Sequence, residues 1–510
     1  MRLLASIISV LFCFSCLAAG PRVMTASGLV EGVTEQGIDI FRGIPYAAPP
    51  VNQLRWRAPQ PVATWAGARK VKSFGDICPQ MRSRRTPESE NCLLLNVWAP
   101  ADADGLPVML WIHGGANVNG SGNTDGSKFA RDGVVLVSLN YRLGRFGVFS
   151  HPELTSEAMK AGEPTGNYGV MDQIAALRWI QHNIAAFGGN PNLVTIFGVS
   201  AGGSHVNHLM ASPESKGLFH RAIAQSGANG MSMPRSLSEA EQIGVSLADS
   251  RGGGSLKGLR GLAFKELVDT DASYRTQTNT FVDGEILPNS VPEMFRRGLQ
   301  NNVPYIAGAN SFEGSLAAAI PIASITRSMQ ENLDQVVAIY GRPADDKVLP
   351  LLFYGDVLFV APTRYLVDSM SSVPASAWNY HMAYVSEALR GNSQGTRHGG
   401  EVQFVFDRLR TLNVNERLAR RFGIPEGTYE PSTRDREIAS MLHRYWIQFA
   451  IHGDPNGPGL PRWSKFSAEG GATLVIANEE TRTETGVRKE SLDLIEASYL
   501  ARRGLTKGSQ

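Results

Sequence analysis

LVTIFGVSAGG, residues 193–203, decides how this chain is read. The strand-like LVTIFG runs straight into Gly198-Val199-Ser200-Ala201-Gly202, and a helix-compatible stretch, Ser204–Ala211, follows. A G-x-S-x-G sequence between a buried strand and a helix describes a sharp, crowded turn. Its glycines leave room for the backbone. Its serine is pushed out at the top edge of a sheet, where the hydroxyl meets the positive end of the next helix. The bare pattern is common and also describes an ordinary glycine-rich strand-to-helix turn. The buried strand before it is what points to a nucleophile at Ser200.

Outward from this turn the chain repeats the same alternation. VMLWIH (108–113), VVLVSLNY (134–141) and VPYIAGAN (303–310) are continuous apolar runs, the pattern of strands covered on both faces. Between them, MDQIAALRWIQHNIAAF (171–187) places Ile174, Leu177, Ile180 and Ile184 on one helical stripe. Strands alternating with helices predict an α/β fold with a central, mostly parallel, twisted sheet flanked by helices. No Pro/Ser-rich linker and no tandem repeat divides the chain. Residues 20–510 are therefore read as one catalytic domain, with helical cap insertions over about 315–390.

Composition excludes other classes. With 43% hydrophobic residues the chain is too apolar for disorder, and 49 basic against 47 acidic residues leave no field for nucleic acid. No metal-ligand spacing or phosphate loop is visible, so neither metal nor cofactor is expected.

A serine esterase must stabilise the alkoxide of a tetrahedral intermediate, and backbone amides do this. His113-Gly114-Gly115-Ala116 follows the strand 108–113 directly. The amides of Gly115 and Ala116, with that of Ala201 after the nucleophile, form the expected oxyanion hole of an HGGG-type loop. The bland alternative is a flexible loop, GGANVNGSGN, ending a strand.

These residues carry a family resemblance. FRGIPYAAPP (41–50), LRWRAPQP (54–61), SENCLLLNVWAP (89–100), residues 166–203 almost throughout, and FAIHGDPNGPGLPRW (449–463) are similar to signatures of the type-B carboxylesterase/cholinesterase family. The resemblance covers essentially residues 22–470 and implies an α/β-hydrolase fold acting on a small-molecule ester.

The expected chain order of such a site is serine, then an acid, then histidine. His381 sits in strand-like AWNYHMAYV, and His443 and His452 in or after a helical stretch. His398 alone lies in a glycine-flanked loop, GTRHGGEVQFVF, able to reach the nucleophile, and that loop resembles the family's histidine loop. For the acid, Glu313 in GANSFEGS follows the strand 303–310, whereas Asp283 and Glu285 in FVDGEILP compete on chemistry alone. The resemblance assigns the role to Glu313 and a structural role to the 283–285 loop.

The chain also departs from the family. Val199 stands where many relatives carry Glu, which removes a charge from the expected pocket floor. Ala116 replaces the third glycine of the oxyanion loop, so its methyl is expected to crowd the hole. Asn117 and Asn119 make the expected acyl side more polar. Arg82, Arg84 and Arg85 occupy a loop without the aromatic choline-binding tryptophan of cholinesterases. That loop argues against a cholinesterase. If it lies at the rim of the gorge, as in relatives, it is expected to attract esters bearing carboxylates, as with the fumonisin-type esterases of the family; the bland alternative is a solvated basic loop. Two further readings are a non-catalytic adhesion or scaffold relative, which the intact Ser200, Glu313 and His398 oppose, and an interfacial lipase, for which SLAAAIPIASITRSMQ (315–330) is mildly suggestive.

MRLLASIISVLFCFSCLAA (1–19) has a basic start, an apolar core and small residues for cleavage, the pattern of a secretory signal. Cys13 and Cys16 allow a lipid anchor as the alternative. The expected location is periplasmic or secreted, with no span after cleavage and the oligomeric state open. Cys78 and Cys92 then remain as a candidate disulfide, or as two reduced thiols; the resemblance supports the disulfide. Asn119-Gly120-Ser121 is a sequon, but it abuts the oxyanion loop and is read as unused.

Overall fold

A computed structural model describes residues 20–81, 86–270, 272–317, 333–341, 347–422 and 425–506. Residues 1–19 and the arginines at 82, 84 and 85 lie outside that set. Among the described residues, eleven strands form the central sheet. Seven of them run parallel: Val135–Leu139, Leu106–Ile112, Gly189–Val199, Arg221–Gln225, Tyr305–Asn310, Ala377–Met382 and Thr473–Ile476, in that spatial order. Antiparallel strands close both edges, Thr481–Glu484 at one and Leu94–Pro100, Ile38–Pro45 and Val33–Glu35 at the other.

The continuous apolar runs have a simple cause: both faces of the sheet are covered. Val108, Leu110 and Ile112 join one apolar layer, and Met109 and Trp111 join the opposite one. Helix Tyr168–Asn183 covers the first face, and its stripe Ile174, Leu177, Ile180, continued by Ile184, is buried there as the spacing predicts. Helix Thr433–His452 covers the second face through Ile438, Leu442, Trp446 and Phe449. One buried ion pair engages the first of these helices. Arg142 meets Asp172 with Nε and Nη2 at 2.9 and 2.7 Å, and both side chains are almost wholly excluded from solvent. Cys78 and Cys92 form a disulfide with Cα atoms 5.0 Å apart.

The stretch expected as a cap needs a correction. Residues 333–369 are largely helical, through Leu333–Tyr340, Val348–Gly355, a π-helical turn Asp356–Val360, and Ala361–Ser369. Residues Ala377–Met382, however, are a central strand. A cap boundary at 390 is therefore too late. The helical part ends with the turn Met370–Ser372, because the next residues must pair with Tyr305–Asn310. Residues 318–332, which hold most of the lid-like segment, lie outside the described set. Among the described residues no helix is long and apolar enough to cross a membrane.

Candidate active site

Strand Gly189–Val199 ends at Ser200, held at φ 59°, ψ −123° before helix Ala201–Ala211. A non-glycine residue keeps such angles only where its surroundings over-determine them. Here they do. A Cβ on Gly202 would lie 2.1 Å from the Ile112 carbonyl oxygen, and one on Gly203 2.5 Å from that of Gln225. Both obstacles are backbone, so the turn cannot relax past them. The Ser200 amide donates to the Gln225 carbonyl at 2.8 Å, and the Ser200 carbonyl accepts from the Ser204 amide at 2.9 Å.

Two loops from neighbouring strand ends meet this serine. His398 Nε2 lies 2.8 Å from Ser200 Oγ, and His398 Nδ1 hydrogen-bonds Glu313 Oε2. Glu313 is buried, and its other oxygen accepts from Ser226 Oγ at 2.6 Å and from the Asn310 amide at 2.7 Å. Both carboxylate oxygens are thus engaged, and the acid cannot turn away from the ring. The loops are tied directly: the Phe312 amide donates to the Thr396 carbonyl at 2.9 Å, and the His398 amide to Ser315 Oγ at 2.9 Å. Phe359, from the π-helical turn, packs its ring 4.6 Å from the imidazole. Burial, the largest influence on His398, pulls its pKa down. The charge and hydrogen bond of Glu313, with the charge of Glu401, prevail and raise it.

The Gly114–Asn117 loop lies against the nucleophile turn, so closely that a Cβ on Gly114 would sit 2.6 Å from the Val199 carbonyl oxygen and 3.1 Å from Ser200 Cβ. Gly115 takes φ 120°, and Ala116 and Asn117 take φ 55° and 59°. Among the described residues, the amides of Gly115, Ala116 and Ala201 have no acceptor. Two buried histidines brace the loop. His113 Nδ1 donates to the Gly114 carbonyl at 2.8 Å, and His205 Nε2 to Asn117 Oδ1 at 3.0 Å. Burial takes His113 down to about 4 and His205 well below its ordinary value, so each ring is neutral and carries one N–H.

Residues 19–495 match the carboxylesterase family. The chain belongs to that family. Among its relatives are a fumonisin B1 esterase of Sphingopyxis macrogoltabida, 34% identical over 88% of this chain and 84% of the relative, and a para-nitrobenzyl esterase of Bacillus subtilis, 33% identical over 90% and 95%. Solved structures agree. A PNB esterase superposes with a TM-score of 0.77 at 29% identity, covering 93% of this chain and 99% of its own. A carboxylesterase of Geobacillus stearothermophilus superposes with 0.76 at 31%, covering 92% and 99%. The fold is that of the α/β-hydrolases, and the chain is a carboxylic ester hydrolase.

A cavity of ≈ 640 Å³ opens onto the carboxylesterase's Ser200, with Ala116, Asn117, Ala201 and His398 in its wall. Val199 is not in that wall. It is buried in the apolar layer with Phe197 and Ile223, because alternate residues of the strand face opposite sides of the sheet. The expected pocket-floor role at 199 therefore does not hold. Asn117 does line the cavity, but His205 holds its side-chain oxygen. Asp283, the rival acid, closes its own loop by accepting from the Glu285 and Leu287 amides. His381 lies in the strand Ala377–Met382, and His443 bonds the Val405 carbonyl. A second hollow of ≈ 580 Å³ contains Arg364, Asp493 and Glu496, which pair with one another, and no nucleophile.

Glu401 escaped the sequence reading. It is wholly buried three residues after His398. Its Oε2 accepts from Asn310 Nδ2 at 2.5 Å and its Oε1 from Gln225 Nε2 at 3.2 Å. Burial first, then the charge of Glu313, pushes its pKa up. The short distance to His398 in sequence was its one visible signal.

Proposed function

We propose that this carboxylesterase works through an acyl-enzyme on Ser200. The observation that carries the reading is the continuous hydrogen-bonded line from Glu313 through His398 to Ser200 Oγ. His398 Nε2 takes the hydroxyl proton as Oγ attacks the ester carbonyl. The amides of Gly115, Ala116 and Ala201 hold the oxyanion, each donor of this kind being worth about 2.7–4 kcal/mol. Glu313 keeps the imidazole in the tautomer that presents a bare Nε2 and stabilises the ring once charged. The alcohol leaves with the proton from His398, and water, activated by the same ring, releases the acid.

Residues 1–19 act as an export signal in this reading, and the Cys78–Cys92 disulfide fits an oxidising compartment. Residues 20–510 are the catalytic unit. The substrates extend to esters bearing carboxylate groups, in keeping with the fumonisin B1 esterase among the relatives. Arg82, Arg84 and Arg85 are proposed contributors to that preference.

The test is hydrolysis of p-nitrophenyl esters from acetate to palmitate by the wild type and by Ser200→Ala. The reading requires hydrolysis by the wild type and background rates in the variant. A variant that retains activity refutes it, and a wild type inert on every ester does so equally.

A further inference from the structure

We infer that Arg235 and Arg275 form a carboxylate-binding arm of the Ser200 cavity, which selects esters of polycarboxylic acids. This rests on the serine-esterase reading above and assigns its substrate class. The described residues lining the cavity include both arginines and no aspartate or glutamate. Among the described residues, the space beside Ser200 is thus bordered by two positive charges and no negative one.

Among the described residues neither arginine forms an ion pair. Several other partly buried arginines are matched to acids: Arg55 to Glu90, Arg145 to Asp269, Arg260 to Glu157. Arg235, half-buried, instead donates from Nη2 to the backbone carbonyls of Gln277 and Asn279 at 3.0 and 3.1 Å. These bonds fix the guanidinium without neutralising it. Its Nε and Nη1 have no acceptor among the described residues. Glu239, the acid whose charge reaches Arg235, forms no ion pair with it and uses one oxygen at its own helix start, where it accepts from the Ser236 amide at 2.7 Å and hydroxyl at 2.8 Å. Arg275, exposed on the short helix Ala272–Gln277, makes no ion pair among the described residues.

A planar guanidinium held on one side and open on the other suits a carboxylate, which it binds through two parallel N–H bonds. The remaining wall is polar at this end, with Asn229, Ser232 and Asn279. Ser290 also lines the cavity, and its buried hydroxyl has no hydrogen-bond partner. A polycarboxylic acid ester places its reacting carbonyl at Ser200 and its free carboxylate at the arginines. A neutral acyl chain of the same length leaves both arginines unpaired.

The experiment compares p-nitrophenyl hydrogen adipate with p-nitrophenyl hexanoate, which have equal chain length and differ by one terminal carboxylate. The enzymes are the full-length wild type, Arg235→Gln, Arg275→Gln and the double variant. The expected result is a KM for the adipate ester raised roughly tenfold or more in the double variant, with kcat little changed and the hexanoate KM steady. The wild-type preference should also shrink in high salt. Equal effects on both esters, no effect on either, or a wild type that rejects the adipate ester would each overturn the inference. Hexanoate hydrolysis that is lost in Ser200→Ala leaves the serine-esterase reading standing in all three cases, and also shows that each arginine variant is folded.

Discussion

Replacing Glu401 by Gln should move the acid limb of kcat/KM to lower pH. In the proposed mechanism His398 serves as base only when neutral, so activity is expected to fall as the pH drops through its pKa. That pKa is raised above 6.5, by Glu313 through charge and hydrogen bond and by Glu401 through charge alone. Glu401 is the smallest of these upward influences. Its loss is therefore expected to shift the limb by less than Glu313→Gln does. The variant should be relatively more active than the wild type at the acidic end.

The substitution can be absorbed without a packing cost. Glu401 accepts from Asn310 Nδ2 and Gln225 Nε2, so a glutamine amide would first set donor against donor. Gln225 Oε1, however, is buried and has no partner, and turning that side-chain amide over presents an acceptor instead. The shape is unchanged and only the charge is removed. The assay is kcat/KM for a neutral p-nitrophenyl ester between pH 5 and 9, with the thermal midpoint measured alongside. Stability should respond with the opposite pH sense. A raised histidine pKa contributes stability that is fully present below 6.5 and is lost as the pH rises through the folded value, and in Glu401→Gln that contribution shrinks. An unmoved limb would mean that Glu401 is already neutral where His398 titrates. A limb that moves upward would refute the electrostatic reasoning outright.

Two further substitutions test the frame around the site. Asp172→Ala leaves the Arg142 guanidinium buried without its acid and should cost about 3–5 kcal/mol in urea unfolding, whereas a surface pair such as Arg178–Glu214 should cost almost nothing. Removing the Cys78–Cys92 disulfide, which spans 14 residues, as the double alanine variant should cost about 3 kcal/mol in the chain-entropy model and abolish the sensitivity of the thermal midpoint to reductant.

Much of the site was legible because its chemistry is announced by local backbone signals. Ser200 sits in a turn whose glycines are demanded by carbonyls of the two strands on either side of its own. His398 stands out because glycines flank it in a loop between two predictable elements. Glu313 follows a strand end by three residues. Glu401 carries no such signal: it is one carboxylate at the start of a short helix, and only its enclosure by Gln225 and Asn310, on two separate strands, makes it notable. The same holds for Phe359, which reaches His398 from a π-helical turn that periodicity does not mark. Arg235 and Arg275 come from segments without any motif, and their meaning arises from what the cavity lacks. The expectation for Val199 failed for a geometric reason. Adjacent strand residues face opposite sides, so the residue before the nucleophile is carried into the core.

The Ala116 departure resolves in the same terms. Crowding of the oxyanion hole by an extra methyl was the expected consequence. The structure shows a backbone cost at this position, with Ala116 and Asn117 both at positive φ beside Ser200. Each such residue stores about 1–3 kcal/mol that the surroundings must offset. The bracing histidines supply part of the offset, since His113 fixes the Gly114 carbonyl and His205 fixes the Asn117 side chain. Each bond needs only one ring N–H, which His113 and His205 supply in the neutral form that burial favours. The loop proposed as the oxyanion hole is therefore held by bonds separate from those that join Ser200, His398 and Glu313. In the proposed mechanism these three residues can keep one geometry while the part of the cavity wall that bears Arg235 and Arg275 sets which ester enters.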